Sequence, residues 1–483
     1  MTESPVDALG PDANWSGIDV VVTGLAVSGV AAARVLLELG ARVTAVDAAD
    51  SEAVRRRAAD LEASGGRALI GADAIDRLPD TTQLVVTSPG WTPRAPLLVD
   101  AAGREVPIWG EVELAWRLRG PDAVPWLCVT GTNGKTTTVQ MLDAILRAAG
   151  QRSAAVGNVG APAVEAVVAA EPYDVLAVEL SSFQLHWAPS LAPRASVILN
   201  IAPDHLDWYA GSMEAYVADK ARIYERVEVA RVYNVADEQT VRLATSVTGP
   251  ARAVGFTLDA PPPGALGVLD GTLIDGAFET VRGRGVELAS VSDVRPPAPH
   301  NVANALAAAA LARAHGVPAE AVRAGLAGFA PDRHRNETVA THAGVDWIDD
   351  SKATNPHAAE ASLVGYSSVV WIAGGLAKGA TFDQLVVRVR DRLRAVVLLG
   401  RDRGVVGEAL ARHAPEVPVF EVTEGETGSD VMERVVQAAT SVAERGDSVL
   451  LAPGCASQDL FANYGDRGDA FAAAVDRRIA ADR

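Results

Sequence analysis

The sequence predicts three tandem α/β domains. Short apolar runs alternate with longer helical patterns along the chain, and this alternation is typical of βαβ units built on parallel sheets. Glycines or polar residues follow many of the apolar runs, as they do where parallel strands end in ligand-binding loops. The length of 483 residues fits two to four domains at roughly 100–200 residues each. We place the domains at residues 1–117, 118–331 and 332–483.

The first domain opens with a strand, a glycine turn, a helix and a second strand across residues 18–47, which predicts a Rossmann-like fold. The turn at residues 24–29 reads GLAVSG and is similar to the diphosphate-binding G-x-G-x-x-G turn. Ala26 replaces the second glycine, and its methyl group argues against the close approach of a dinucleotide. Asp47 stands at the second strand tip, where a ribose partner would lie. An ordinary βαβ turn and a diphosphate site both remain open.

The second domain begins with a strand at residues 126–130 that runs into the loop GTNGKT and a helix at 136–149. Phosphate binding needs this arrangement, because glycines free backbone N–H groups, a helix N-terminus favours anions, and lysine reaches the terminal phosphates. A hydroxyl next to the lysine is suited to Mg²⁺. The loop is shorter than the usual pattern, whose first glycine would fall at Val129. We predict a central P-loop ATPase domain.

Polar residues follow later strands of this domain. Glu179 ends a buried strand, the usual place for a carboxylate that binds Mg²⁺, and His205 follows another strand. Taken alone, His205 also fits a structural loop histidine, and Lys220 fits a solvated helix position. Asn301 and Asn304 lie three residues apart at the start of a helix, so a shared polar face and helix capping are both open.

Lysine is rare in this chain. The sequence contains 39 arginines but only four lysines, at Lys135, Lys220, Lys352 and Lys378. Where charge alone is needed the sequence uses arginine, so a lysine is expected where a compact ammonium or a reactive amine is required. The count favours a functional interpretation of Lys220 over a solvated one.

The third domain is again predicted to be Rossmann-like. Its strands are expected at residues 347–350, 369–374, 395–400 and 448–452. The segments that follow three of these strands read DSKATNP, GLAKG and PGCAS, and they contain lysines, hydroxyls and glycines. Because ligands gather at the carboxyl ends of parallel strands, these segments predict a cationic, hydroxyl-rich face suited to a small dicarboxylate.

Composition excludes several classes of protein. The formal net charge of −18 disfavours a general nucleic-acid binder or a basic membrane-surface protein. No apolar stretch approaches the ~18 residues of a membrane span, and residues 1–15 lack the pattern of a secretory signal. Cys128 and Cys455 are too few for a disulfide framework. We expect a reduced, cytoplasmic protein without membrane insertion.

Several motifs together resemble the Mur ligase family, the ATP-dependent amino-acid ligases of peptidoglycan precursor synthesis. They are TGTNGKT at 130–136, ELSS at 179–182, DHLD at 204–207 and HNVAN at 300–304. Within the family, DDSKATN at 349–355 is similar to the members that add D-glutamate. The resemblance implies that ATP phosphorylates the carboxylate of UDP-N-acetylmuramoyl-L-alanine and that the amine of D-glutamate attacks the acyl phosphate, releasing ADP and phosphate.

The resemblance also implies roles for individual residues in ATP and metal binding. Lys135, His205 and Lys220 would be catalytic. Two Mg²⁺ sites are expected, one on Thr136 and Glu179 and the other on His205 and a CO₂-derived carbamate of Lys220; a guanidinium never offers the neutral amine that a carbamate needs. ATP would contact Gly131, Thr132, Asn133, Gly134, Lys135, Thr136, Thr137, Asn304, Arg335 and Asp350.

The two other substrates have their own expected contacts. The uridine substrate would contact Val27, Ser28, Asp47, Gly90, Asn158 and His205. D-Glutamate would contact Lys352, Thr354, Lys378, Ser457 and Tyr464. We expect a monomer.

Three other functions fit parts of the pattern. A nicotinamide dehydrogenase would explain the first domain but neither the P-loop nor the lysine motifs. A folate or other polyglutamate ligase would share the ATPase core but should lack the first domain. A P-loop motor or regulatory module would bind or hydrolyse ATP without consuming an amino acid, so dependence of phosphate release on D-glutamate separates these functions.

Overall fold

The computed structural model describes residues 6, 9–120, 123–281, 284–423, 425 and 427–482, with the side chains of 75, 280, 281 and 284 left aside. These residues form three β-sheets of five, nine and six strands, with helices between most successive strands. The α/β class predicted from the sequence is therefore confirmed. Among the helices in the described part of the chain, none has both the length and the apolar character needed to cross a bilayer.

The first sheet is entirely parallel and has the strand order β3-β2-β1-β4-β5. Its elements are β1 Asp19–Thr23, α1 Val27–Glu38, β2 Arg42–Asp47, α2 Glu52–Ala63, β3 Arg67–Ile70, β4 Leu84–Thr87, α3 Pro96–Gly103, β5 Ile108–Gly110 and α4 Glu111–Arg117. The central strand β1 is apolar and almost fully buried because helices cover both faces of a parallel sheet. Gly29 in α1 is needed for close approach, since a Cβ there would overlap the carbonyl oxygen of Gly24.

The second sheet has nine strands in the order β14-β13-β12-β11-β10-β9-β6-β8-β7. Its strands are β6 Trp126–Thr130, β7 Ser153–Gly157, β8 Val175–Glu179, β9 Ala195–Ile198, β10 Ala230–Asn234, β11 Arg252–Phe256, β12 Ala265–Leu269, β13 Thr272–Val281 and β14 Arg284–Ser290. Its helices are α5 Lys135–Ala148, α6 Ala163–Val167, α7 Ser182–His186, α8 Met213–Ala221, α9 Glu238–Ser246, α10 Pro299–His315 and α11 Ala319–Gly328. Only the pairs β12–β13 and β13–β14 are antiparallel among the described pairings.

The third sheet has the order β15-β16-β20-β17-β18-β19, and β15 alone runs antiparallel to its neighbour among the described strands. Its elements are β15 Glu337–His342, β16 Val345–Asp349, α12 Pro356–Leu363, β17 Val369–Gly374, α13 Asp383–Val389, β18 Leu393–Leu399, α14 Arg403–His413, β19 Val419–Glu421, α15 Gly428–Val442, β20 Ser448–Leu451 and α16 Tyr464–Ala481. The adjacent strands β16, β20 and β17 are parallel, so the loops that follow them leave the same edge of the sheet.

The chain divides into two compact units. The first contains Met1–Ile201, Met213–Pro297 and Asn301–Phe329, and thus the first two sheets. The second contains Ala202–Ser212, Ala298–His300 and Ala330–Arg483, and thus the third sheet.

Within the first unit, α4 carries two buried carboxylates toward the second sheet. Glu111 accepts a hydrogen bond from the backbone N–H of Val164 at 2.7 Å. Glu113 accepts from the backbone N–H of Ser190 at 3.0 Å and pairs with Arg117 at 2.6 Å. Glu111 and Glu113 therefore connect α4, which follows the first sheet, to segments that belong with the second sheet.

Candidate active site

The loop after β6 is held in shape by backbone and side-chain hydrogen bonds. The N–H of Thr132 donates to the carbonyl of Asn200 at 3.0 Å, and the N–H of Asn133 donates to Asn200 Oδ1 at 2.9 Å. Asn200 Nδ2 donates in return to the carbonyl of Asn133 at 3.0 Å. Because β6 and β9 are neighbours, Asn200 reaches the loop from the end of the adjacent strand. The loop is thus preorganised at the N-terminus of α5, where anions are favoured.

Gly134 allows the loop to turn into α5. Its φ of +83° lies in the left-handed region that favours glycine, and it is the N-cap of the helix. A Cβ at this position would overlap the amide of Asn304. Asn304 is therefore in contact with the phosphate loop, and its contact with ATP stays a prediction. Its Nδ2 also lies 3.5 Å from Asn301 Oδ1, so the two asparagines share one helix face.

Two of the four lysines converge on one carbonyl group of this loop. Lys135 Nζ donates to the carbonyls of Gly131 at 3.0 Å and Thr132 at 2.8 Å. Lys220 Nζ donates to the same Gly131 carbonyl at 2.8 Å and lies 3.4 Å from Thr130 Oγ1. The side chain of Lys220 is 2% exposed, so it is not a solvated helix lysine. The structure thus brings Lys220 to the phosphate loop from α8.

Glu179 provides a buried oxygen suited to a cation. It ends β8, next to β6, and is 1% exposed. Its Oε1 accepts a hydrogen bond from Asn158 Nδ2 at 2.8 Å, whereas Oε2 is buried without a hydrogen-bond partner among the described residues. A buried carboxylate oxygen without a partner is costly, and a hard cation such as Mg²⁺ binds oxygen ligands of this kind. The residues at this strand end therefore fit a metal ion.

Asn158 was predicted to contact the uridine substrate, and the structure adds a second contact. Its backbone N–H donates to the carbonyl of Glu179 at 2.9 Å, next to the side-chain hydrogen bond described above. The residue itself is exposed, so one face of it remains open to a ligand. Asn158 orients Glu179, and its substrate contact stays a prediction.

The turn after β1 is organised around Asp47. Asp47 Oδ2 accepts from the backbone N–H of Leu25 at 2.7 Å, and its Oδ1 accepts from the N–H of Ala49 at 2.9 Å. Val27, the first residue of α1, is 65% exposed, and Ser28 is half-buried beside it. Gly90 is exposed in the turn after β4, the strand next to β1. These residues share the carboxyl edge of the first sheet, where α/β proteins bind ligands.

The predicted dicarboxylate residues lie on loops that leave adjacent strands of the third sheet. Lys352 and Thr354 follow β16, Ser457 follows β20, and Lys378 follows β17. The loops are tied by backbone hydrogen bonds from Gly454 to Ala353 and between Leu376 and Ala456, at 2.8–2.9 Å. Tyr464, the first residue of α16, lies 4.0 Å below Lys352 Nζ, measured from the ring centroid.

The polar groups of these loops differ in exposure. Lys378 is exposed, with a φ of +49°, and Thr354 is half-buried. Ser457 is 2% exposed, and its Oγ is buried without a hydrogen-bond partner among the described residues. An unpaired buried hydroxyl is available to a ligand carboxylate. The second unit therefore offers two ammonium groups and one unsatisfied hydroxyl on loops at one edge of its sheet.

In the second unit, burial and hydrogen-bond partners shift the pKa values of Asp350 and His334. Burial raises the pKa of Asp350 to about 6, while hydrogen bonds from Ser362 Oγ and the N–H of Asn336 and the charge of Arg335 oppose that shift. The hydrogen bond to Asp349, 2.6 Å from His334 Nδ1, raises the pKa of His334. The predicted nucleotide residues Arg335 and Asp350 thus interact electrostatically.

His205 lies in the segment Ala202–Ser212 of the second unit. Its φ is +53°, its side chain is 43% exposed, and Nε2 lies 3.6 Å from Asp204 Oδ2. Its predicted roles in binding metal and the uridine substrate stay predictions.

Two residues with clear structural roles at these loops are missing from the sequence-based prediction. Asn200 fixes the phosphate loop, and its position at a polar strand tip was the available signal. Arg467, buried beneath Ser351, gave no signal at all, because its hydrogen bonds go mainly to backbone groups distant in sequence.

Comparison with known proteins identifies the family. The Mur ligase middle domain matches residues 129–312, and the Mur ligase glutamate ligase domain matches residues 334–455. The chain is 62% identical over 465 residues to the UDP-N-acetylmuramoylalanine--D-glutamate ligase of Streptomyces avermitilis, covering 96% of this chain and 98% of that protein. It is 59% identical to the protein of the same name from Streptomyces coelicolor, covering 95% and 98%.

A solved structure supports the fold. The UDP-N-acetylmuramate-alanine ligase of Thermotoga maritima superposes with a TM-score of 0.56 at 18% identity, covering 96% of this chain and 100% of that one. At that identity the likeness concerns the fold alone. The full-length sequence identity and both domain matches lead to one conclusion: this chain belongs to the Mur ligase family.

Proposed function

We propose that the chain is an ATP-dependent ligase that joins D-glutamate to UDP-N-acetylmuramoyl-L-alanine in peptidoglycan precursor synthesis. The observation that carries this proposal is the 62% identity, over nearly the full length, to a protein named for that activity. The phosphate loop with its two converging lysines and the cationic loops of the third sheet support it. A P-loop motor would have no need of the cationic loops of the third sheet.

The reaction consists of two balanced steps. The γ-phosphoryl group of ATP passes to a carboxylate oxygen of UDP-N-acetylmuramoyl-L-alanine, giving an acyl phosphate and ADP. The neutral amine of D-glutamate then attacks the acyl carbon, and the tetrahedral intermediate loses phosphate and a proton to give the amide. Such chemistry rests on positioning and on stabilising negative charge. Lys135 would hold the terminal phosphates, and the N–H groups of the loop from Gly131 to Thr137 would cradle them.

Metal binding would involve four residues. Thr136 and Glu179 would hold one Mg²⁺, and His205 with a carbamate of Lys220 would hold a second. Bound Mg²⁺ supplies charge neutralisation on the phosphate oxygens. The carbamate would form when the neutral Lys220 amine adds to CO₂ and releases a proton. The burial of Lys220 at 2% exposure, next to the phosphate loop, supports a role in the site rather than a solvated position.

Each sheet would bind one substrate. The domain 1–117 would hold the uridine nucleotide through Val27, Ser28, Asp47 and Gly90. Asn158 and His205 are proposed as further contacts of that substrate. The domain 118–331 would bind ATP, aided by Arg335 and Asp350. The domain 332–483 would bind D-glutamate through Lys352, Thr354, Lys378, Ser457 and Tyr464. We further propose that the enzyme acts in the cytoplasm as a monomer.

Phosphate release tests this function directly. The protein is incubated with ATP, Mg²⁺ and UDP-N-acetylmuramoyl-L-alanine, and D-glutamate, L-glutamate or another amino acid is added separately. Release that requires D-glutamate is expected. Release with another amino acid only would keep the ligase chemistry and overturn the substrate; release without any amino acid would indicate an ATPase.

The D-glutamate site is tested by Lys352→Ala. Because the Lys352 ammonium would pair with a substrate carboxylate, we expect the KM for D-glutamate to rise about tenfold or more while the KM for ATP changes little. Equal rises in both KM values would assign Lys352 to the nucleotide. Lys378→Ala serves as a second variant on the neighbouring loop.

A further inference from the structure

Arg467 is a buried arginine that no substrate is expected to touch. It lies in the first turn of α16 and is 1% exposed. Its guanidinium makes three hydrogen bonds. Nε donates to Ser351 Oγ at 2.9 Å, Nη2 to the Ser351 carbonyl at 2.8 Å, and Nη1 to the Cys455 carbonyl at 3.1 Å.

The charge of Arg467 has no paired carboxylate. Among the described residues, no carboxylate forms an ion pair with Arg467, and the groups whose charges raise its pKa are Cys455, Asp459 and Asp349. Burial lowers the pKa of Arg467 to about 10, so it is still a cation at neutral pH. Buried charges are usually paired because desolvation is costly. Retaining this one for packing alone would be unfavourable.

The three hydrogen bonds join loops that carry predicted substrate residues. Ser351 directly precedes Lys352, and Cys455 lies two residues before Ser457. Ser351 Oγ donates onward to the carbonyl of Tyr464 at 2.8 Å, which fixes the start of α16 as well. One guanidinium thus connects the segments after β16 and β20 to the helix that carries the Tyr464 ring.

The neighbouring nucleotide residue does not depend on this connection. Asp350 is held by the N–H of Asn336 at 3.2 Å and by the hydroxyl of Ser362, and neither residue is a hydrogen-bond acceptor of Arg467. Loss of the Arg467 hydrogen bonds should therefore displace Lys352 and Ser457 more than Asp350.

We propose that Arg467 is a positioning residue for D-glutamate: its guanidinium fixes the spacing of Lys352, Ser457 and Tyr464, and its unpaired charge attracts the dicarboxylate. This inference rests on the proposed D-glutamate site. The planar fork of donors is essential to the first role, and charge alone supplies the second.

Two substitutions separate these roles. Arg467→Met removes fork and charge, and Arg467→Lys keeps the charge. We expect the KM for D-glutamate to rise about tenfold or more in Arg467→Met and by a smaller factor in Arg467→Lys, with the KM for ATP and for the uridine substrate within about threefold of the parent. Arg231→Met is the matched control, because Arg231 is also buried and donates to a backbone carbonyl, that of Ala251 at 2.9 Å in the first unit.

A milder variant guards against misfolding. Ser351→Ala removes one acceptor and the onward hydrogen bond to Tyr464, and should raise the KM for D-glutamate severalfold with kcat retained. In a Lys352→Ala background, Arg467→Lys should raise the KM for D-glutamate by a smaller factor than in the parent, because the part of its effect that acts through Lys352 is already lost. Additive effects would contradict positioning through Lys352.

The outcomes distinguish this inference from the function itself. A normal KM for D-glutamate in both Arg467→Lys and Ser351→Ala, together with a raised KM in Lys352→Ala, would overturn the role of Arg467 and leave the site intact. An unchanged KM in Lys352→Ala would overturn the site and this inference with it. Equal rises in all three KM values would reduce Arg467 to a structural role.

Discussion

Replacing Asn158 by alanine tests how Glu179 is held for metal binding. The substitution removes the donor 2.8 Å from Glu179 Oε1. Since Oε2 already lacks a partner, neither oxygen of this carboxylate, which is 1% exposed, then has a side-chain hydrogen bond from the described residues. Loss of an outer hydrogen bond to a metal ligand typically weakens metal binding about 10–100-fold, or about 1.4–2.7 kcal/mol. We therefore expect the Mg²⁺ concentration for half-maximal activity to rise by that factor.

The assay is phosphate release against free Mg²⁺ with all three substrates saturating. Asn234→Ala is the matched control, because Asn234 donates to the carbonyl of Leu199 at 3.2 Å in the same sheet and does not touch Glu179. The control should keep the parent Mg²⁺ dependence. A Mg²⁺ dependence within twofold of the parent in Asn158→Ala, with only the KM for the uridine substrate raised, would refute the link to Glu179.

Three further substitutions test the phosphate loop, Lys220 and the buried carboxyl of α4. Gly134→Ala places a Cβ against Asn304 at a φ of +83° and should raise the KM for ATP, whereas Gly150→Ala, at a φ of +77° in open space, should not; equal effects would contradict the contact with Asn304. Lys220→Arg should lose most turnover, because a guanidinium cannot form a carbamate; near-normal turnover would contradict that modification. Burial raises the pKa of Glu111 to about 7, so the folded state holds this proton more tightly than the unfolded state, and the stability it contributes is lost as pH rises from about 4.5 through 7. Glu111→Gln should therefore lessen the fall in Tm between pH 5 and pH 8, and Tm values that fall equally in both proteins would contradict the raised pKa of Glu111.

The strands were predictable from the sequence because most of them are buried on both faces. Residues 126–130 and 369–374 read as uninterrupted apolar runs, and the structure has strands at those same residues. The hairpin of β12 and β13, which turns at Asp270 and Gly271, has a different kind of sequence signal, the Asp-Gly pair. Both residues have positive φ, at 49° and 74°, which is the two-residue turn that Asp-Gly favours.

Elements with weaker patterns were not predicted. The strand β15 is half-exposed along its length, and its sequence has no apolar run. The helix α10 begins at Pro299, two residues before Asn301, and its polar first turn has no apolar periodicity that would mark this start. Exposure on one or both faces thus removes the signal on which a sequence-based prediction depends.

The candidate site divides in the same way. The residues of the phosphate loop are consecutive in the sequence, so its chemistry can be predicted from the sequence alone. Arg467 lies 116 residues from Ser351, and two of its three acceptors are backbone carbonyls, which any residue type supplies. The second contact of Asn158, on Glu179, depends on the neighbouring strands β7 and β8 and also required the structure.

The most direct test of the account follows an oxygen atom. UDP-N-acetylmuramoyl-L-alanine labelled with ¹⁸O in its carboxylate is incubated with the protein, ATP, Mg²⁺ and D-glutamate, and the released phosphate is analysed by mass. If the carboxylate is activated as an acyl phosphate, one labelled oxygen leaves with each phosphate, and label appears there only when D-glutamate is present. Unlabelled phosphate accompanied by amide formation would contradict the acyl-phosphate route, and unlabelled phosphate without amide would leave only ATP hydrolysis.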